Sequence, residues 1–332
     1  MPDRLSSIKK EGDADLEMDL QVTSVGIAVV SYNSREQLRA CLASIEQEPG
    51  QEVVVVDSAS SDGSIGMVRS DFPWVKLIAC QVNKGYGSAA NLAIANCSSK
   101  YVLLLNSDTE LRSGALRTLS DYLDQHPEAA ILGPRLEYPD GTDQPSCFAF
   151  PTPLQTLLRE TRLRGFPHQF SKHSSGRFPD KQNHNARAVP WILGAALVIR
   201  RDPFVAVKGF DESFFMYFEE VDLCYRLKQA GWQTHFVPDA VIMHVGGVST
   251  ERHRAAMLQQ LYKSLCHFYQ QHYSRRQKFQ LKLVLTYLMI RNIVKDKLRS
   301  FSPSGNDRAT ENLTVWRSIL SSVWSANGWL KD

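Results

Sequence analysis

Asp108 follows an unbroken apolar run, Val102-Leu103-Leu104-Leu105, and so stands where a buried strand would leave the core. A carboxylate there can bind a hard divalent cation, Mg2+ or Mn2+, which takes oxygen ligands and keeps several of them from phosphates and water. One or two protein ligands then suffice. Taken alone, Asp108 reads as a turn cap. A second group is Glu219, Glu220 and Asp222, placed just behind the aromatic stretch Phe214-Phe215-Met216-Tyr217-Phe218. Acids that open a helix are favoured by its dipole, which accounts for Glu219 or Asp222 without any chemistry. An apolar wall beside a carboxylate raises its pKa and suits it to general-base work. The third group is His244-Val245-Gly246-Gly247-Val248-Ser249. A lone histidine is ordinarily structural. This one follows a strand and precedes glycines that let the backbone approach a diphosphate closely, so it is a candidate metal or phosphate ligand.

Elements that could gather these groups are legible along the chain. Val25–Val30, the four valines within Glu52–Asp57, Val75–Ala79 and Tyr101–Asn106 read as fully buried strands. Helical spacing runs over Glu36–Ile45, Ser88–Ala95 and Ser113–His126, the last ended by Pro127. Strands alternating with helices predict a mostly parallel sheet with helices on both faces. In such a sheet ligands bind at the carboxyl ends of the strands. Those ends are Ser31-Tyr32-Asn33, Asp57 to Ser64, Asn83 to Gly87, and Asn106-Ser107-Asp108. Ser34 or Asp62 alone would read as a helix cap. Four polar ends at one edge fit a polar ligand better than four independent caps. After Ile131 the pattern breaks, and 142–188 is irregular and rich in Pro, Ser, His and Arg, a length usually functional or mobile. Order returns at Val189–Arg200, then a helix over Glu219–Ala230 with Gly231 as its C′ residue, and a strand over Trp232–Val237. From Glu251 the chain reads as helical.

Composition bounds the answer. The 332 residues are 43% hydrophobic and 22% charged, enough for a full core. A net charge of +3 gives no ground for nucleic-acid binding. Residues 251–300 concentrate eleven basic side chains against Glu251 and Asp296 alone. The six cysteines are scattered without a CxxC pair and read as buried thiols of a reducing compartment. No apolar segment reads as a signal peptide or approaches the ~20 residues of a membrane span. The expectation is a cytoplasmic protein, peripheral on the inner face of the plasma membrane. Neither GxGxxG after the first strand nor GxxxxGK[ST] is present, which argues against a nicotinamide enzyme and an NTPase.

In order and spacing, VVSYN, VVVVDSASSDGS, NKGYGSAAN, YVLLLNSDTEL, WILGAALVIRR, GFDESFFMYFEEVDLCYRLKQAGW and HVGGVS resemble glycosyltransferase family 2, within it the bacterial rhamnosyltransferase-like members. The resemblance runs from Val25 to Ser249 and implies a GT-A fold and an inverting mechanism. It implies that Ser31, Asn33 and Asp57 line the nucleotide site. Asn83, Gly85 and Asn91 correspond to the donor-cradling turn. Asp108 matches the last acid of the metal-binding DxD motif, with Asn106 in place of the first, and His244 matches the distal metal ligand. Glu220 falls where many members have the Asp of an ED pair, the acceptor-activating base, with Glu219 its competitor.

The expected organisation is a leader over 1–22, a GT-A catalytic domain over 23–250 (donor part 23–135, acceptor part 136–250), a basic helical region over 251–300, and a linker with an amphipathic tail helix over 301–332. Gly141–Pro153, with Ser146, Phe148 and Phe150, and the stretch to 188 are expected to shape the acceptor site. Phe279, Leu283, Tyr287, Ile290 and Val294 fall at helical spacing among lysines and arginines, and Trp316, Ile319, Leu320, Val323 and Trp324 repeat the pattern. Basic amphipathic helices with tryptophans suit an anionic bilayer surface; packing on the catalytic domain or on a second copy in a homo-oligomer is the other reading. The expected reaction moves rhamnose from dTDP-rhamnose to a lipid-linked or cell-surface glycan. The same chemistry with a UDP- or GDP-sugar, an inactive sugar-binding scaffold, and a sugar nucleotidyltransferase are the alternatives. The last should carry a Gly-rich basic loop after the first strand, where SYNSRE stands instead.

Overall fold

The computed structural model describes residues 25–161, 185–246, 254–300, 306–325 and 328–330. The 1–22 leader, most of the 142–188 stretch beyond Thr161, Gly247 to Ser249 and most of the linker near 301–306 lie outside the described residues.

The first half alternates β1 (Val25–Ser31), α1 (Arg35–Ala43), β2 (Val53–Asp57), α2 (Ser64–Asp71), β3 (Lys76–Ala79), α3 (Tyr86–Ala95) and β4 (Tyr101–Asn106). These four strands pair in parallel in the order β3-β2-β1-β4. The second half adds β5 (Thr109–Leu111), α4 (Ala115–Gln125), β6 (Ala129–Glu137), β7 (Asp143–Gln144), β8 (Cys147–Phe148), α5 (Pro153–Thr161), β9 (Arg187–Val189), β10 (Trp191–Ile192), β11 (Ala196–Arg200), α6 (Arg201–Ala206), α7 (Glu219–Gln229) and β12 (Gln233–His244). The sheet continues past β4 through β11, β6, β12 and β5, with β11 and β5 antiparallel to their neighbours. Three helices close the chain: α8 (Arg254–His272), α9 (Arg275–Arg299) and α10 (Asn306–Trp324).

The period of two along β1 builds a core on each face. Ile27 and Val29 join α1, α2 and α4 through Leu38, Leu42, Met67, Val68, Leu119 and Leu123. Ala28 and Val30 join α3 and, in the same continuous cluster, α7 and the three C-terminal helices. Strands buried on both faces are why the valine and leucine runs are unbroken.

Four expectations need correction. Val75–Ala79 is not fully buried: β3 is the sheet's edge, with Lys76 and Ala79 exposed. The pattern does not break at Ile131, because β6 runs on to Glu137 through Gly133-Pro134 in the middle of the sheet. The strand read as ending at Val237 continues to His244, since Pro238 falls in a register shift between Val237 and Val241, where a missing N–H costs no ladder bond. Within 142–161, read as irregular, β7, β8 and α5 also form.

Candidate active site

Strand topology brings Asp108 and His244 together. The chain leaves β4, turns at Asn106-Ser107-Asp108, and returns as β5 against the end of β12, so that Thr109 pairs with His244. The Val245 N–H donates to the Asp108 backbone carbonyl at 3.0 Å. Asp108 Oδ1 then lies 3.4 Å from His244 Nε2, and Asp108 Oδ2 accepts from the Gly246 N–H at 3.2 Å. On the far side of the ring, His244 Nδ1 meets Gln144 Oε1 at 2.8 Å. That contact holds the ring in place, and Nε2 on its other side faces the Asp108 carboxylate. Burial pushes the Asp108 carboxyl up, but the hydrogen bond and charge of His244, with backbone N–H groups, outweigh it and leave the group below its ordinary value. An anionic oxygen and an imidazole nitrogen converging on one point, the imidazole held by a polar partner behind it, form a donor set that fits Mg2+ or Mn2+ completed by phosphate and water.

The polar edge of the sheet is assembled by hydroxyls and by positive-φ turns. Ser34 Oγ lies 3.2 Å from Ser31 Oγ and 2.6 Å from Ser107 Oγ, which ties the ends of β1 and β4 together. Ser34 therefore does not cap α1 with its side chain; Asp62 reaches across from the end of β2 and accepts the Arg35 N–H at 2.8 Å. Asn33, at φ 48°, accepts from the Ser61 N–H through its side-chain oxygen. Asp57 is fully buried and accepts the Ser60 N–H through Oδ1, while its Oδ2 has no partner. Asn83 Oδ1 accepts the Gly85 N–H at 2.9 Å. Gly85 itself, at φ 99°, is required by packing, because a Cβ there would lie 2.3 Å from the Phe215 carbonyl oxygen. Asn91 spends its amide on the Phe210 backbone, accepting at 2.9 Å and donating at 2.9 Å, and also donates to Glu212. Its place is in anchoring α3 to the turn that precedes the acids.

Those acids enter from the other side. Tyr217 and Phe218 both sit in the left-handed region, at φ 65° and 70°, immediately before α7. Two consecutive bulky residues there cost about 1–3 kcal/mol each, strain that clusters at functional sites. They deliver Glu219 and Glu220 to the first turn of α7 with almost no solvent contact. Burial raises both carboxyls; Glu219 is raised further by the charge of Glu220, and Glu220 is pushed up to about 7 while backbone N–H groups, that of Gly194 among them, pull it back. Asp222 is used otherwise: fully buried, it accepts from Arg226 Nε and pairs with His272 Nε2, both at 2.6 Å, fastening α8 to α7.

A short turn joins the two groups. The Asn106 N–H donates to the Ala195 carbonyl at 2.9 Å, the Tyr86 hydroxyl donates to the Gly194 carbonyl at 3.1 Å, and Gly194 packs against the Glu220 side chain. Tyr86 feels Glu219, Glu220 and Asp108 at once, and burial followed by these charges holds its hydroxyl protonated. Sequence reasoning missed Tyr86, Gly194 and Gln144 as site residues. The first two lie inside the quoted motifs; Gln144 carries no local signal. Among the described residues, the buried side-chain oxygens without a hydrogen-bond partner belong to Asp57, Asn106, Glu219, Glu220 and Gln51. The first four are all expected site residues. Buried polar atoms of this kind call for a partner, water or a ligand, since each costs about 1–3 kcal/mol if left unpaired.

A separate trio, His126, Glu128 and His235, brings ligand atoms within 4.8 Å of one another. It lies at the start of β12, nine residues before His244, so roughly 30 Å away along the strand at the usual rise. His235 already bonds Tyr122 and Gln233, and His126 bonds Glu128. The trio is not part of the Asp108 site.

A mixed sheet with polar strand ends along one edge, an acid after the fourth strand and buried acids on a facing helix is the architecture of the GT-A fold. The family model for glycosyl transferase family 2 matches residues 26–179. N-acetylglucosaminyl-diphospho-decaprenol L-rhamnosyltransferase of Mycobacterium tuberculosis is 31% identical over 251 residues, 72% of this chain and 81% of the relative. Rhamnosyltransferase WbbL of Escherichia coli is 24% identical over 228 residues, 66% of this chain and 83% of the relative. Among solved structures, the mannosyltransferase PcManGT of Pyrobaculum calidifontis, in complex with GDP-Man and Mn2+, superposes with a TM-score of 0.53 at 14% identity, covering 91% of this chain and 87% of the other. GalNAc-T7 with UDP, GalNAc and Mn2+ gives 0.56 at 14% identity, over 91% of this chain and 55% of the other. The chain belongs to glycosyltransferase family 2, among its rhamnosyltransferase-like members.

Proposed function

We propose that this glycosyltransferase inverts the configuration of L-rhamnose as it moves the sugar from dTDP-rhamnose to a lipid-linked glycan. The observation that carries the reading is the meeting of two differently tuned carboxylate groups at one turn: Asp108, kept anionic beside His244, and Glu220, raised by burial beside Gly194. Asp57, with its unpaired Oδ2, receives a donor N–H or hydroxyl of the nucleotide, flanked by Ser31 and Asn33. Asp108 and His244 are the residues to hold a divalent metal, which when bound neutralises charge on the departing diphosphate. The Gly246 N–H, aimed at Asp108, keeps that carboxylate in place. Glu220 takes the proton of an acceptor hydroxyl held in line behind the anomeric carbon. Glu219, protonated beside it, keeps the site from carrying two adjacent charges. The rhamnosyl donor and the lipid-linked acceptor are taken from the named activity of the mycobacterial relative. The acceptor is expected to reach the site from the side of Gly141–Pro153.

The test is thermal stabilisation across dTDP-rhamnose, UDP-sugars and GDP-sugars, each with Mn2+ and with a chelator. A donor at a hundred times its dissociation constant adds about 2.7 kcal/mol, a readily measured shift. Stabilisation by dTDP-rhamnose that needs the metal supports the reading. A larger, metal-independent response to a UDP- or GDP-sugar overturns the donor assignment and the metal with it.

A further inference from the structure

The two C-terminal stripes have different fates. On α10, Trp316, Ile319 and Val323 are buried against α9 and the core, so that stripe is packing. On α9 the buried side is Leu281, Leu285, Leu288 and Met289. Its opposite side exposes Phe279, Leu283, Tyr287, Ile290, Val294 and Leu298, each at least half open to solvent. At 3.6 residues per turn these six fall within an arc of about 100°, along a helix roughly 37 Å long. Trp324 lies on the edge of the same face, 49% exposed, its indole N–H donating to Thr286 Oγ1 at 2.7 Å. A row of large apolar side chains this long is not the scatter of single residues found on ordinary surfaces.

Charge selects what covers it. The exposed charged residues of α9 are Arg275, Arg276, Lys295, Lys297 and Arg299, with Arg291 half-buried. The helix's one acid, Asp296, is buried and accepts the Trp316 indole N–H at 2.9 Å. A second copy laid along this face would bring two basic rows together. The chain's own segment 162–184 is also basic, with Arg162, Arg164, Lys172, Arg177 and Lys181 against Asp180 alone. An anionic lipid surface complements both features, taking the apolar row into the acyl boundary and the arginines and lysines to the headgroups.

The geometry points to the exposed face of α9 as a docking surface for an anionic bilayer. Its biological sense rests on the lipid-linked acceptor proposed above. α9 is connected to the acceptor side: Arg291 donates to the Glu160 carbonyl of α5 at 3.2 Å, and Tyr273, just before α9, donates to the Pro151 carbonyl at 2.8 Å. A bilayer under α9 therefore lies on the side of the molecule from which the Gly141–Pro153 segment reaches the site.

Vesicle flotation of the full chain tests this without donor or acceptor, so its outcome is independent of the transfer reaction. Vesicles of phosphatidylcholine mixed with phosphatidylglycerol are expected to carry the protein, vesicles of phosphatidylcholine alone not, and high salt to release it. The exposed double variant Leu283→Asp/Ile290→Asp is expected to bind at least about tenfold more weakly, and Arg275→Gln/Arg276→Gln/Lys297→Gln to lose the preference for anionic lipid. Both are expected to keep the wild-type melting temperature and transfer to a short, water-soluble acceptor. Equal binding to neutral and anionic vesicles, or none to either, overturns the proposal. So does a doubled mass in light scattering that the Leu283→Asp/Ile290→Asp variant abolishes, which would assign the face to a second copy.

Discussion

Glu219 and Glu220 are buried side by side, and water reaches neither well enough to stabilise two charges. If Glu220 is the base, it works only when deprotonated, so kcat/KM is expected to rise as pH passes through about 7. Glu220→Gln is expected to lower kcat by about 10²–10⁴-fold and leave donor-induced stabilisation intact; unchanged turnover would move the role to Glu219. Glu219 gives a stability test of opposite sense. Its folded-state pKa is raised above the ordinary value of 4.5, so below that value it costs nothing, and stability drains away as pH climbs from there toward the folded value. Glu219→Gln is therefore expected to raise the melting temperature, more at about pH 8 than at about pH 5. Asp108→Ala is expected to remove metal-dependent stabilisation by the donor together with at least about a hundredfold of the rate. At this scale the candidate site was legible where its residues are charged or unusual in type: Asp57, Asp108, Glu219, Glu220 and His244. Tyr86 and Gly194 act through a hydroxyl–carbonyl bond and a missing Cβ, and neither has a type that announces a site.

Between elements, the site is a set of junctions. The register of β5 on β12 puts Asp108 beside His244, and the 194–195 turn links the end of β4 to α7. The Gly85 turn meets the Phe215 backbone, whose carbonyl accepts the Tyr86 N–H at 2.9 Å. Gly85→Ala would force a Cβ into that carbonyl at positive φ, and an expected cost of about 3 kcal/mol should appear as a lowered melting temperature along with lost transfer. Asp222→Ala is expected to be as damaging to stability, about 3–5 kcal/mol, because Arg226 and His272 lose a buried anion. The parallel strands β1, β2 and β4 could be read from their apolar runs, since burial on both faces leaves no alternation to misread. β6 and the far half of β12 could not. Gly133-Pro134 and Pro238-Asp239 look like turns locally; pairing with β12, distant in sequence, keeps Gly133-Pro134 extended, and pairing on either side of the register shift carries β12 through Pro238-Asp239.

Across the molecule, two cores flank one sheet, and the C-terminal helices are continuous with the core that also holds α7. The amphipathic patterns of α9 and α10 are alike in sequence, yet α10 buries Trp316, Ile319 and Val323 of its stripe and leaves only Trp324 well exposed, while α9 leaves its own bare, because which face packs is decided by partners and not by periodicity. No helix among the described residues is long and apolar enough to cross a membrane. The central claim is that this whole arrangement inverts a rhamnosyl donor with Glu220 as base. The most direct measurement is the anomeric configuration of the product formed from dTDP-rhamnose, read by NMR for wild type and for Glu220→Gln at equal protein concentration. The account predicts an inverted linkage from the wild type and none detectable from Glu220→Gln over the same time. A retained configuration, or an inverted product formed equally fast by Glu220→Gln, would contradict it.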